Sequence, residues 1–133
     1  MAEGLIKRLL EEGEIAGKVS SAGLFTLEDL PATSFAVEAM KEVGIDISMH
    51  RTRQVNEQLI KASDHVVGIS RRHVEILLDR YPEHAPRICS FPLPDIPDPF
   101  GNGLETYRAV RVLLLDWSRT LLDCLSESAA PMR

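Results

Sequence analysis

An α/β domain built on a parallel sheet with helices on both faces is the fold class predicted here, and three observations predict it. Short β-type segments (residues 17–23, 64–70 and 87–91) alternate with longer stretches whose apolar residues recur at helical spacing. The 133 residues are enough to enclose one hydrophobic core. Apolar residues at 44% and charged residues at 26% are the balance of a globular chain, and no apolar run is long enough to span a bilayer.

Leu5, Ile6, Leu9 and Leu10 share one face of an opening helix that stops at Gly13, although no capping residue precedes Met1. Gly17 to Gly23 reads as a short strand ending in a glycine turn. A second helix is expected from about Pro31, with Phe35, Ala36, Ala39 and Met40 on its apolar face and Gly44 as its stop. Ser48 to Gln54 follows neither period and reads as a loop. A short helix, Glu57 to Ala62, leads into a strand, Asp64 to Ser70. Ser70 suits the N-cap of the next helix, whose stripe is Val74, Leu77, Leu78 and Tyr81 and whose end is Pro82. The last unit is a strand, Arg87 to Phe91, a proline-rich loop, Pro92 to Pro99, and a long helix from Leu104 to about Leu125. One domain over residues 1–125 and a loose tail over 126–133 are expected.

Composition also narrows function. The net charge of −5 argues against non-specific nucleic-acid binding, apart from a local basic patch at Arg51 and Arg53. Glu3 stands where a signal peptide would carry basic residues, and Lys7 and Arg8 interrupt any apolar core of one. Two cysteines, Cys89 and Cys124, are too few for a disulfide framework, and no Cys or His spacing reads as a zinc site. A cytoplasmic protein that engages neither nucleic acid nor membrane is the expectation.

The segment Asp95-Ile96-Pro97-Asp98-Pro99-Phe100-Gly101 carries the strongest chemical signal, because prolines stiffen the backbone on both sides of Asp98. A loop leaving the carboxyl end of a parallel strand lies at the ligand crevice of such a sheet. An acid held there can be aimed as a general acid, with Phe100 as a neighbouring wall; an ordinary Asp-Pro turn fits the same spacing. His50, Arg51 and Arg53 form a polar cluster that suits either an anion or plain solvation. Ser21 falls at the crevice end of the first strand, where a simple turn serine is equally compatible. Cys89 and Cys124 lie inside a strand and a helix, the places of small apolar fillers.

Four segments in order, Met1-Ala2-Glu3-Gly4, Ser21-Ala22-Gly23, Gly44-Ile45-Asp46 with His50-Arg51-Thr52-Arg53-Gln54, and Asp98-Pro99-Phe100-Gly101, resemble the low-molecular-weight protein-tyrosine-phosphatase family, in its bacterial form. The resemblance implies a three-layer sandwich with sheet order 2-1-3-4 and hydrolysis of phosphotyrosine or phosphoarginine on a protein through a cysteinyl-phosphate, without metal or cofactor. It implies Asp98 as general acid, Phe100 at the mouth of the site, and Ser21 and His50 as supports of the phosphate loop. That loop has the pattern Cys-x5-Arg-Ser-Pro, and neither cysteine supplies it: the sixth position after Cys89 is Asp95, and no arginine follows Cys124 before Arg133. The chain is therefore expected to be truncated, to lack the first, interior strand, and to be inactive and marginally stable by itself. The support residues favour truncation over a non-catalytic pseudophosphatase binding domain, the main alternative. Arsenate reductase, similar over Lys41 to Asp46, needs a pair of downstream redox cysteines where this chain offers only Cys89. Oligomeric state is left open.

Overall fold

The computed structural model describes residues 1–89 and 94–129, with side chains to Ser126. In chain order the elements are α1 (Ala2–Glu12), α2 (Ser34–Lys41), α3 (Glu57–Lys61), β1 (Val66–Val67), α4 (Arg71–Arg80), a 3₁₀ turn (Pro82–Arg87), β2 (Ile88–Cys89) and α5 (Leu104–Ala129). β1 and β2 pair in parallel, Val66 with Ile88 and Val67 with Cys89.

Because side chains alternate across a strand, the pair feeds two apolar layers. Val67 packs with Leu5, Met40, Ile96, Val110, Leu114, Trp117 and Leu121, the cluster that joins α1 and α2 to α5. Val66 and Ile88 face the other way, onto Ile60 of α3 and Leu77 of α4. Helices therefore cover both faces of a parallel pair, the α/β class read from the sequence.

Three helix starts have a local side-chain cause. Thr33 accepts the Ala36 N–H at 3.3 Å, Asn56 the Leu59 N–H at 2.9 Å and Ser70 the His73 N–H at 3.3 Å. Met1 caps α1 without a side-chain acceptor. α2 ends at Lys41 and the chain turns away through Gly44, whose φ of +77° a side chain would resist, and Arg8 donates to the carbonyls of Val43 (3.3 Å) and Gly44 (2.7 Å) in that turn. The turn from α2 into the His50 loop then crosses α1 so closely that a Cβ on Gly4 would meet Ile45 at 3.0 Å and Ile47 at 3.2 Å. That packing accounts for glycine in α1's first turn.

Several expectations are corrected. Residues 17–22 form no strand: all but Val19 are exposed, and only Gly23 pairs, in an isolated parallel bridge to Gln54. Among the described residues no extended segment lies along them to exchange backbone hydrogen bonds, and a strand needs that exchange. α2 begins at Ser34, three residues after Pro31, because Thr33 supplies the cap. Pro82 opens a 3₁₀ turn as well as ending α4. The two strands are shorter than read, and Ser90, Phe91, Pro92 and Leu93 lie outside the described residues. α5 continues to Ala129, into the stretch expected to be tail.

Candidate active site

Two groups of residues carry the candidate chemistry, one at the start of α1 and one on the loop after β2. Glu3 sits in the first turn of α1, where a carboxylate suits the helix dipole. Ser21 donates its hydroxyl to Glu3 Oε1 at 2.8 Å, and Lys7 donates to Oε2 at 3.1 Å. His50 lines the same groove beside Glu3, half-buried, after a turn in which its N–H reaches the Ile47 carbonyl at 3.1 Å. Partial burial works to raise the Glu3 carboxyl, but the hydrogen bonds from Ser21 and Lys7, with the charges of Lys7 and His50, outweigh it and hold Glu3 below its ordinary value. Ser21 itself is steadied from behind, since Arg53 Nε donates to its carbonyl at 3.1 Å.

Gly23 completes this corner. Its N–H donates to the Arg53 carbonyl and its carbonyl accepts from Val55 N–H, both at 2.8 Å. A Cβ there would lie 2.7 Å from Thr26 Cγ2, so the close turn requires glycine.

Asp98 stands on the second group, exposed, with Phe100 beside it at 73% exposure. The loop is local and stiff. Asp98 Oδ1 accepts the Phe100 N–H at 3.0 Å, and Asn102 N–H closes a turn onto the Pro99 carbonyl at 3.0 Å, with Gly101 taking the required φ of +86°. Its base is pinned where β1 runs into α4: Ile96 N–H donates to the Ile69 carbonyl at 3.1 Å, and Asp95 Oδ1 accepts the Arg71 N–H at 2.8 Å. Asp98 thus projects from the carboxyl-end side of the parallel pair, the side where such sheets bind ligands. Ile96 belongs to the same apolar cluster as Leu5, Met1 and Ala2, so one core anchors both groups.

The structure brings Ser21 and His50 together around Glu3 and sets Asp98 next to Phe100; no hydrogen bond joins the two groups among the described residues. Glu3 is the residue that sequence reasoning passed over. A glutamate in a first helical turn with Lys7 four residues on looks like ordinary helix stabilisation, and its contact with Ser21 is tertiary.

Cys89 is half-buried with its sulfur 3.8 Å from His65 Nδ1; burial pushes its thiol up, against a weaker opposing bond to the Val66 backbone. A thiol held that way is a poor nucleophile at neutral pH. Among the described residues no helix is long and apolar enough to cross a membrane.

A parallel α/β scaffold with an acid-bearing loop at its ligand side is a frame for hydrolytic or transfer chemistry, and comparison with known proteins narrows it. Residues 1–130 match the profile of the family described as low molecular weight phosphotyrosine protein phosphatase. A protein-arginine-phosphatase of Geobacillus stearothermophilus is 35% identical over 128 residues, 90% of this chain and 82% of its own. The low molecular weight protein-tyrosine-phosphatase Wzb of Escherichia coli is 32% identical over 112 residues, 81% of this chain and 76% of its own. The crystal structure of the low molecular weight protein tyrosine phosphatase from T. tengcongensis superposes with a TM-score of 0.85 at 34% identity, covering 92% of this chain and 87% of that one. The chain belongs to the low molecular weight phosphotyrosine protein phosphatase family.

Proposed function

We propose that this chain supplies the scaffold and the proton donor for removing phosphate from phosphotyrosine or phosphoarginine side chains of proteins in the cytoplasm. The observation that carries the reading is the pinned loop that presents an exposed Asp98 from the ligand side of the sheet of a phosphatase-family fold. In the reaction a thiolate attacks phosphorus, the bond to the leaving phenol oxygen or guanidine nitrogen breaks, and the protonated Asp98 carboxyl gives that atom its proton. Water then attacks phosphorus, the sulfur–phosphorus bond breaks to return the thiolate and release phosphate, and the Asp98 carboxylate takes the proton that water loses. No cofactor is needed for either half. Phe100 offers the substrate ring or guanidinium an apolar face. Ser21 and His50, gathered on Glu3, steady the first turn of α1, the helix end toward which a phosphate loop would direct its anion.

The attacking thiolate and the clamping guanidinium have no candidate pair in the 133 residues, since no arginine stands six positions after either cysteine. That observation favours a second reading, a non-catalytic domain that binds phosphorylated proteins. One experiment separates the two. The chain is joined behind a strand and a Cys-x5-Arg-Ser-Pro segment and assayed with phenyl phosphate, beside the same protein carrying Asp98→Asn. Turnover that falls by roughly a hundredfold or more in the variant supports the enzyme with Asp98 as donor. An unchanged rate removes Asp98 from the mechanism, and no turnover in either protein favours the binding domain.

A further inference from the structure

On the side of the molecule where α3 meets the 3₁₀ turn, Glu57, Glu83 and His84 place a nitrogen and two carboxylate oxygens within 4.8 Å of one another. We propose that these three residues form a site for a zinc-class divalent cation. His84 Nε2 is buried and has no hydrogen-bond partner among the described residues, with its side chain only 12% exposed. It faces Glu57 Oε1 at 3.6 Å and Glu83 Oε1 at 3.8 Å. Both separations are too long for hydrogen bonds, which hold nitrogen and oxygen at about 2.7–3.2 Å. They suit ligands that share an ion: bond lengths of about 2.0–2.2 Å set tetrahedral edges at roughly 3.3–3.6 Å, so each nitrogen–oxygen pair needs to close by only a few tenths of an ångström, and the two carboxylates, within 4.8 Å, can meet the ion by rotating their exposed side chains.

The frame beneath is firm. Glu57 is the first residue of α3 after its Asn56 cap, and Glu83 and His84 lie on the turn after Pro82. Ile60 and Ile88 of one buried cluster lie under the two elements, and Arg87 Nη1 reaches across to the Ser63 carbonyl at 2.9 Å. One imidazole with two carboxylates is a donor set for zinc, whereas magnesium and calcium take oxygens. A three-residue set leaves the fourth position to water. Glu57 and His84 stand too far apart in the chain for any ligand-spacing motif, which is why the sequence reads as having no zinc site. Lys61 competes for the same oxygen, with its ammonium 3.1 Å from Glu57 Oε1.

That competition makes the proposal testable against a plain surface ion pair. The 133-residue chain is titrated with Zn2+ by calorimetry and with Co2+ in the visible range, where tetrahedral cobalt absorbs strongly. One saturable equivalent is expected, weakened by roughly a hundredfold in His84→Gln and about tenfold in Glu83→Gln. Lys61→Ala should tighten binding several-fold, because a competing cation is gone; Cys89→Ser, beside His65, should leave it unchanged. Thermal melting should move upward with added Zn2+ in the parent chain and need about ten times more Zn2+ for the same rise in Glu83→Gln, an exposed substitution that leaves the fold intact. Absence of saturable binding at millimolar Zn2+, undiminished affinity in both His84→Gln and Glu83→Gln, looser binding in Lys61→Ala, or equal competition by Mg2+ would each overturn the assignment.

Discussion

Among the described side chains of α5 six, Tyr107, Val110, Leu114, Trp117, Ser118 and Leu121, are buried, whereas between Pro94 and Gly103 only Ile96 is. The helix is held by continuous apolar contact with α1 and α2. The loop bearing Asp98 is held by one buried side chain, two hydrogen bonds at its base and the stiffness of Pro97 and Pro99. The difference follows from the role proposed for Asp98: a general acid has to reach solvent and substrate, so its loop cannot be anchored by burying its own side chains. It borrows rigidity from its base. The core beneath α5 can then be treated as scaffold and the loop as a separately adjustable part.

The largest expected effect tests the scaffold. Trp117 is 3% exposed in the middle of the main cluster, and Trp117→Ala should cost about 3–5 kcal/mol, a large share of a typical total of roughly 5–15 kcal/mol. Urea titration followed by circular dichroism measures it. A loss below 1 kcal/mol would mean that α5 is not held by this cluster.

Ile96→Ala sharpens the contrast, because Ile96 belongs to both regions. About 2–4 kcal/mol of stability should be lost from the core. In the chain joined to a Cys-x5-Arg segment, turnover of phenyl phosphate should also fall, by more than Trp117→Ala lowers it at temperatures where both remain folded. Equal losses of activity in the two variants would show that the acid loop does not depend on its own anchor.

How much of this was legible in the chain depends on how local each cause is. The buried face of α2, Ala36, Ala39 and Met40, was read from spacing because a helix writes that face into its own residues three and four apart. Asp98 was singled out because Pro97, Pro99 and Gly101 punctuate the backbone in the same seven residues. The supposed strand at Gly17 to Gly23 was misread because β-type residues record only a preference, while the strand itself is made by a neighbour elsewhere in the chain. Glu3 was missed for a related reason: its partner Ser21 is 18 residues away and arrives through the fold. The α2–α5 ion cluster was equally invisible, since Glu42 meets Arg108 across 66 residues.

That ion cluster gives the third test. Hydrogen bonds from Arg108 and then Arg111 hold the Glu42 carboxyl at about 2, against an ordinary value of 4.5. A carboxyl depressed on folding adds stability that is complete above its unfolded value and is lost as pH falls through the folded one. The melting temperature should therefore drop between about pH 4.5 and pH 2, and Glu42→Gln should flatten that part of the curve while lowering stability at pH 7. Added salt should shrink the difference, because these groups are partly exposed. An identical pH profile in parent and variant would place the acid sensitivity elsewhere.

The smallest effect returns to the loop. Asp95 accepts the Arg71 N–H at 2.8 Å, the first N–H of α4, so its charge sits at a helix N-terminus as well as at the base of the acid loop. Asp95→Asn keeps an acceptor oxygen and removes the charge, which should cost about 0.5–1 kcal/mol. Asp95→Ala also leaves the N–H without this partner, and the cost should rise to about 1–2 kcal/mol. If the loop draws its rigidity from this anchor, hydrogen exchange at the Ile96 amide, which donates to the Ile69 carbonyl, should speed up in the alanine variant more than in the asparagine one. Exchange that is equal in all three proteins would assign the loop's stiffness to its prolines and to Ile96, and Asp95 would be a cap for α4 and nothing more.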